Sequence, residues 1–354
     1  VAKSLIIRGG YALTQWVTAD ATAFPATLDA GLNGRVLALT NGIISVEDLT
    51  LTNGRLNGAD GAGLSVSSGV TATLLRARVT GNRGSGFSSD GGGIANGGTL
   101  VISMTVVASN VVSGSSSGKG GGIYNTGALS ILNSQVVSNV LLGSSSGQGG
   151  GIYNSGALTI VNASILSSTN NSSSNRGGGL YTSGALSMLN STLAGNRADG
   201  FDHRGGAIYV DSGNAILTNV TLAGNGVSGT SALGGGIYRN SGVMTLTNTL
   251  LDANSGGNCA GSVMSGGYNL SSDGTCTLSA PTDVANTPGQ LAPLSNGHRA
   301  PLLGSLAVDA GTCLQSAHAL GATRPGAGTP FCDIGAIEIS GASVDLAVAE
   351  TVAP

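Results

Sequence analysis

Charge is scarce in this chain: 9% of its 354 residues are Asp, Glu, Lys or Arg, and the formal net charge is −3. A nucleic-acid-binding face needs a basic stripe, which this composition does not supply. No apolar run approaches the roughly 18 residues of a membrane-spanning helix. The opening segment VAKSLIIRGG lacks the charged-then-apolar layout of a secretory leader, and no Met begins it. The expectation is a mature start from which a leader was removed. Close Cys-x-x-Cys pairs are missing, which argues against a structural zinc site. Nucleophile motifs, phosphate loops and dinucleotide fingerprints are missing as well. Disorder is excluded by a positive mean hydropathy and by the patterning of the apolar positions.

What the chain has is a phrase that recurs every 28 or 29 residues. It reads GGGIANGGTL, GGGIYNTGAL, GGGIYNSGAL, GGGLYTSGAL, GGAIYVDSGN and GGGIYRNSGV, starting at Gly91, Gly120, Gly149, Gly177, Gly205 and Gly234. A constant period of this length marks one structural unit stacked on the next. A polar ladder keeps the same step: Asp48, Arg76, Met104, Asn133, Asn162, Asn190, Asn219 and Asn248. A second follows six residues later, at Gly54, Asn82, Asn110, Asn139, Ser168, Asn196, Asn225 and Asn254. Around the first ladder run three apolar columns, whose middle members are Leu129, Ile131 and Val136. Short-range alternation is the strand signal, and nothing repeats at helical spacing.

These features predict an all-β fold, a right-handed parallel β-helix of about ten coils, roughly 45 Å long at the usual spacing of about 4.8 Å between strands. Inward Leu, Ile and Val stack into a dry column, and the Asn133, Asn162, Asn190, Asn219 and Asn248 amides bond from coil to coil. Glycine, 61 residues of the chain, supplies the corners. The 3% aromatic content is no obstacle, because a solenoid needs no central globular core.

The organisation expected is an irregular entry coil over residues 1–30 and regular coils over 31–254. Terminal coils with long loops follow over 255–340, and an extended tail over 341–354. All four cysteines lie late. Their spacings of 17 and 19 residues suit local bridges Cys259–Cys276 and Cys313–Cys332, although three pairings are possible and four buried thiols are the alternative. Two bridges point to an oxidising compartment and to a secreted, cell-surface protein.

Three segments carry a family resemblance: the GGGIYNSGALTIVNASIL repeat, NCAGSVMSGGYNLSSDGTC, and GSLAVDAGTC followed by RPGAGTPFCDIGAIE. Over about residues 30–340 the chain resembles bacterial surface proteins with a choice-of-anchor Q domain. It is also similar to the GGAI-and-xxxN repeats of polymorphic outer membrane proteins. The resemblance implies a secreted right-handed β-helix, usually without an assigned reaction. The tail SVDLAVAETVAP resembles the first strand of the Ig-like domains that often follow in such proteins, which implies a longer precursor.

Catalytic β-helices need carboxylates gathered from adjacent coils. The residue before each glycine cluster forms the column Asp60, Asp90, Lys119, Gln148, Arg176, Arg204 and Leu233, with the two acids one coil apart. The strongest catalytic candidate is Asp199, Asp202, His203 and Arg204, near Arg176; the competing reading is a solvated loop of paired charges. The remaining histidines, His298 and His318, are scattered, so neither a metal nor another cofactor is expected. Tyr124, Tyr153, Tyr181, Tyr209 and Tyr238 form a column with Ala95 at its start. Alternation turns them away from the apolar interior, either as a strip that binds glycans or a partner, or as rings stacked to stiffen the rod. Asn170, Asn171 and Asn269 sit in N-x-Ser/Thr contexts.

The ends of a solenoid expose strand edges. Homo-oligomers joined through those edges or through the C-terminal tail are the expected partners, with surface glycans next; nucleic acid and membrane insertion are not expected. The functional expectation is a non-catalytic extracellular structural or adhesive rod that assembles head to tail. The alternative is a carbohydrate-binding or polysaccharide-cleaving β-helix.

Overall fold

The computed structural model describes residues 4–339, except 13, 15, 16, 88, 115, 144 and 327–329. The C-terminal tail of residues 341–354, with the inter-subunit role expected of it, lies outside the described residues.

The chain is a parallel β-solenoid. The turn that begins at Ala128 shows how it is built. Ala128–Leu132 lies in an eighteen-stranded sheet, and after a kink at Asn133 the strand Gln135–Val137 continues that sheet. Val140–Leu142 then joins a seven-stranded sheet, Ser146–Gln148 a three-stranded one, and Ile152–Asn154 a nine-stranded one. Every strand pairs in parallel with its counterpart one turn on. Leu129 meets Leu158, Ile131 meets Ile160, Val136 meets Ile165 and Ile152 meets Leu180. A one-residue slip would turn this apolar set outward, so the pattern holds the register. All three expected apolar columns are buried along their whole length, with a fourth from the nine-stranded sheet.

Seven turns are complete, from Ile43 to Arg239, each with a strand in all three larger sheets. The expectation of about ten coils counted incomplete rungs at both ends. At the start, Ser4–Arg8 and Ala26–Asp29 contribute only to the eighteen-stranded sheet. At the far end the last strands shorten to the pairs Cys259–Ala260, Met264–Ser265 and Leu270–Ser271.

The kink between the two strand columns of the large sheet is the first polar ladder. Asp48, Arg76, Met104, Asn133, Asn162, Asn190, Asn219 and Asn248 all take a left-handed backbone, with φ between 47° and 56°. That conformation costs most L-residues about 1–2 kcal/mol and is least unfavourable for Asn. The corner therefore favours the residue type that can also bond along the stack. Asn162 donates to Asn133 (3.3 Å), Asn190 to Asn162 (3.2 Å), Asn219 to Asn190 (2.9 Å) and Asn248 to Asn219 (2.9 Å). Where Asn is missing, Arg76 spans the step with a two-pronged bond to Asp48 at 2.7 and 2.8 Å.

The glycine triplets act by space as well as by dihedral. Gly149 has a φ of 72°, and a Cβ on Gly150 would lie 2.5 Å from the Gly178 carbonyl of the next turn. Only glycine permits that approach.

Beyond Ser271 no strand is assigned among the described residues. The chain turns back and lies over the outside of the kink. Asn248 donates to the Asp333 carbonyl (3.0 Å) and Asn190 to the Ala317 carbonyl (3.0 Å), while His298 Nδ1 sits 2.8 Å from the Thr192 hydroxyl. The kink ladder consequently runs from an exposed Asn133 to fully buried Asn219 and Asn248. Cys313–Cys332 ties this returning segment, and Cys259–Cys276 ties the last rung. Both expected pairings are formed, and the described residues contain no free cysteine. Two such bridges mark an oxidising environment. No described helix is long and apolar enough to cross a membrane, which leaves β-barrel spans unaddressed.

Candidate functional site

Two further ladders lie inside the solenoid. In the first, at the second expected polar position, Asn82 Nδ2 donates to Asn110 Oδ1 (3.0 Å) and also to the Leu51 carbonyl (3.1 Å). The same Asn110 oxygen accepts the Asn82 backbone N–H (3.1 Å). Asn110 repeats this with Asn139, Asn196 with Asn225, and Asn225 with Asn254. Each amide is buried with both ends satisfied, the condition under which a buried polar group stabilises. The other ladder, Asn96 to Asn125 to Asn154 to Thr182, bonds at 2.7, 2.7 and 3.0 Å. It stands in the IYN phrase of the repeat, where its fixed offset was the available signal, and sequence reasoning did not single it out.

The tyrosine column is on the outer face, as alternation requires. Tyr124, Tyr153, Tyr181, Tyr209 and Tyr238 stack with centroids 5.1–5.4 Å apart. Three successive pairs are parallel within 6–8°, whereas Tyr124 tilts 26° from Tyr153. Tyr153, Tyr181 and Tyr209 are buried, and the two end rings are half-buried. Burial pushes the Tyr181 and Tyr209 phenols up, and Tyr124 up to about 12. Rings stacked in succession cover one another, which leaves the inner rings their edges and only the two end rings an outer face. The cohesion of the column runs along the rod, and only the Tyr124 end has neither a ring nor a cation from the rung before it.

The column before the glycines borders these rings. Lys119 lies 5.3 Å from the Tyr153 centroid, Arg176 5.6 Å from Tyr209, and Arg204 5.1 Å from Tyr238. Each cation leans on the ring one turn ahead, at the separation of a cation–π contact, and Lys119 also lies 5.8 Å from the Tyr124 centroid of its own turn. One step before Lys119 the column changes sign. Asp90 occupies that place, and Asp60 the one before it. Asp60 Oδ1 accepts the Asp90 N–H (2.8 Å) and Asp90 Oδ1 accepts the Lys119 N–H (2.9 Å). Desolvation, helped by the Asp60 charge, pushes the Asp90 carboxyl up to about 7; desolvation also raises Asp60. At these two rungs the tyrosine position holds Ser65 and Ala95. The result is a recess of about 500 Å³ whose walls include Arg35, Asp60, Ser65, Ala95, Tyr124 and Thr126.

The other catalytic candidate does not converge. Asp202–Arg204 is one short strand, so alternation sends His203 inward and its neighbours outward. His203 is fully buried, and desolvation lowers its pKa. Asp202 and Arg204 approach to 3.4 Å, while Asp199 pairs with Arg197 (3.1 Å) and accepts from Ser228 (2.9 Å). A strand divides adjacent residues between two faces, which sets His203 apart from Asp202 and Arg204 and leaves those two as paired charges, in keeping with the solvated-loop reading. His298 and His318 lie in the returning segment, and the described residues contain no group of three metal-ligating side chains. Six asparagines stand in N-x-Ser/Thr contexts; Asn162, Asn190 and Asn219 belong to the kink ladder, and of the other three Asn171 alone is exposed, Asn170 and Asn269 being fully buried.

No protein-family model matches the chain, and neither the curated proteins nor the solved structures compared with it include a match.

Proposed function

We propose that this chain is a non-catalytic extracellular β-solenoid, a stiff surface rod that displays adhesive features and assembles through its ends. The observation that carries the reading is the number of side-chain ladders directed along the axis. Two internal amide ladders, the kink ladder and the tyrosine stack each link one turn to the next. Stacked, satisfied amides and rings give a repeat array its nearest-neighbour coupling, which resists bending and extension. The oxidising environment marked by the two disulfides supports a place outside the cytoplasm, as does the resemblance of the repeat to surface β-helix proteins.

End-to-end assembly has its own support. Among the described residues Ser4–Arg8 pairs with Ile43–Glu47 alone, and Leu5 and Ile6 on that strand are 54% and 60% exposed. An unpaired strand edge is a template for another strand. Negative-stain microscopy and force spectroscopy of the purified protein test both parts. Filaments of stacked rods with high unfolding force are expected. Isolated particles at all concentrations would refute the assembly, and release of shorter products from a polysaccharide would refute the non-catalytic reading.

A further inference from the structure

The tyrosine stack stops two rungs short on one side. From Tyr124 onward every rung to Tyr238 supplies a ring, but the two preceding rungs supply Ala95 and Ser65 in register. The side chains beside the rings change at the same place, from Lys119 and its successors to Asp90 and Asp60. Small residues and acids thus replace rings and cations together, which opens a concave site with its own chemistry. Its volume of about 500 Å³ falls within the range of roughly 300–1,000 Å³ typical of small-molecule sites.

We propose that this recess binds one pyranose residue of a neutral glycan, its apolar ring face on Tyr124 and its hydroxyls donating to Asp60, the carboxylate in the recess wall. The geometry matches on three counts. The outer face of Tyr124 meets no ring from the rung before it, and this ring alone tilts from the stack by 26°. A sugar ring laid on it continues the column at the spacing of the solenoid. The bonds from the Asp90 and Lys119 amides use one oxygen of each carboxylate. Those amides hold both carboxylates in place, as the bonds from Arg35 to the Asp60 and Gly61 carbonyls hold the floor of the site. Arg35 and Lys119 balance the two acids, so the site favours a neutral, hydroxyl-rich ligand over an ionic one. Such a site adds adhesion to the rod but does not depend on the rod reading, since binding is measured on single molecules.

The test is calorimetry and saturation-transfer NMR with methyl glycosides of glucose, galactose, mannose and N-acetylglucosamine, and with cellotetraose and chitotetraose. Millimolar binding of at least one is expected, as for a ligand of about a dozen heavy atoms. Tyr124→Ala should weaken it at least tenfold. Ala95→Tyr extends the stack into the recess and should abolish binding with no loss of thermal stability, which separates blocking from unfolding. Tyr238→Ala, at the other end of the column, should leave it unchanged. Failure of every sugar to bind the parent protein overturns the proposal. So does binding that survives Ala95→Tyr, or that is lost equally in Tyr238→Ala.

Discussion

The stacked turns and the segment that folds back over them are held by different physics. Within the turns a residue's partner is its own equivalent 28 or 29 positions away, as with Asn196 and Asn225 or Tyr181 and Tyr209. In the returning segment the partners are unlike and distant: Asp333 with Asn248, Ala317 with Asn190. The turns bury neutral amides whose bonds repeat. The returning segment buries an ion pair, Arg324 with Glu338 at 3.7 Å, with side chains almost wholly inaccessible. Arg324 donates to the Asp333 and Gly335 carbonyls, and Glu338 accepts the Gly326 and Asp333 amides. A repeat distributes its stability over many similar steps; the returning segment concentrates it in a few contacts, one of them a disulfide.

The sharpest way to break the comparison is to remove one inner amide. Asn225→Ala deprives the Asn196 N–H and Nδ2 of their acceptor inside the rod. A loss of about 4 kcal/mol, seen in chemical denaturation, is expected from several buried groups left unpaired. Tyr181→Ala opens the middle of the ring stack and should cost about 3 kcal/mol. Arg324→Met strands Glu338 without its cation, at a cost of about 3 kcal/mol in buried settings. The difference lies in where this appears: hydrogen exchange should rise at Asn190 and Asn248, beneath the returning segment, while the Asn82–Asn139 rungs stay protected.

Smaller effects sharpen the contrast. Asp90 titrates near pH 7 in the folded chain, above the usual carboxylate value, because burial favours its neutral form. A folded pKa raised in this way gives stability that is whole below about pH 4 and lost as the pH climbs through 7. Asp90→Asn should match the parent near pH 4 and be the more stable of the two above pH 8 in chemical denaturation. The smallest effect is expected for Asn133→Gly at the exposed end of the kink ladder, within about 0.5 kcal/mol. The same change at the buried Asn219, which bonds both ways, should be several times larger.

Much of this architecture was legible before any coordinates, and the reason is visible at particular residues. Leu129, Ile131 and Val136 alternate in sequence and recur at the period, so their burial and register follow from pattern alone. The kink ladder was legible for the same reason, and the cysteine spacings picked out the two bridges that form. The candidate sites were less legible. Asp202, His203 and Arg204 read either as one cluster or as a loop of paired charges, because neighbours in sequence look like neighbours in space; the strand turns His203 inward and leaves Asp202 and Arg204 paired outside. The tyrosines read either as a binding strip or as a stiffening stack, because whether rings present faces or edges depends on their tilt. The ten-coil estimate missed the loss of strands at both ends, where loops replace the repeat.

By itself the amino-acid sequence determined the period, the stacking of like on like, and which columns are dry, because a translational repeat writes its geometry into the spacing of residue types. The tertiary structure alone decided what covers the kink ladder, and that Ser65 and Ala95 open a recess beside Tyr124. Those outcomes depend on contacts between unlike, aperiodic segments and on side-chain volume across neighbouring turns, neither of which leaves a periodic signal in the chain.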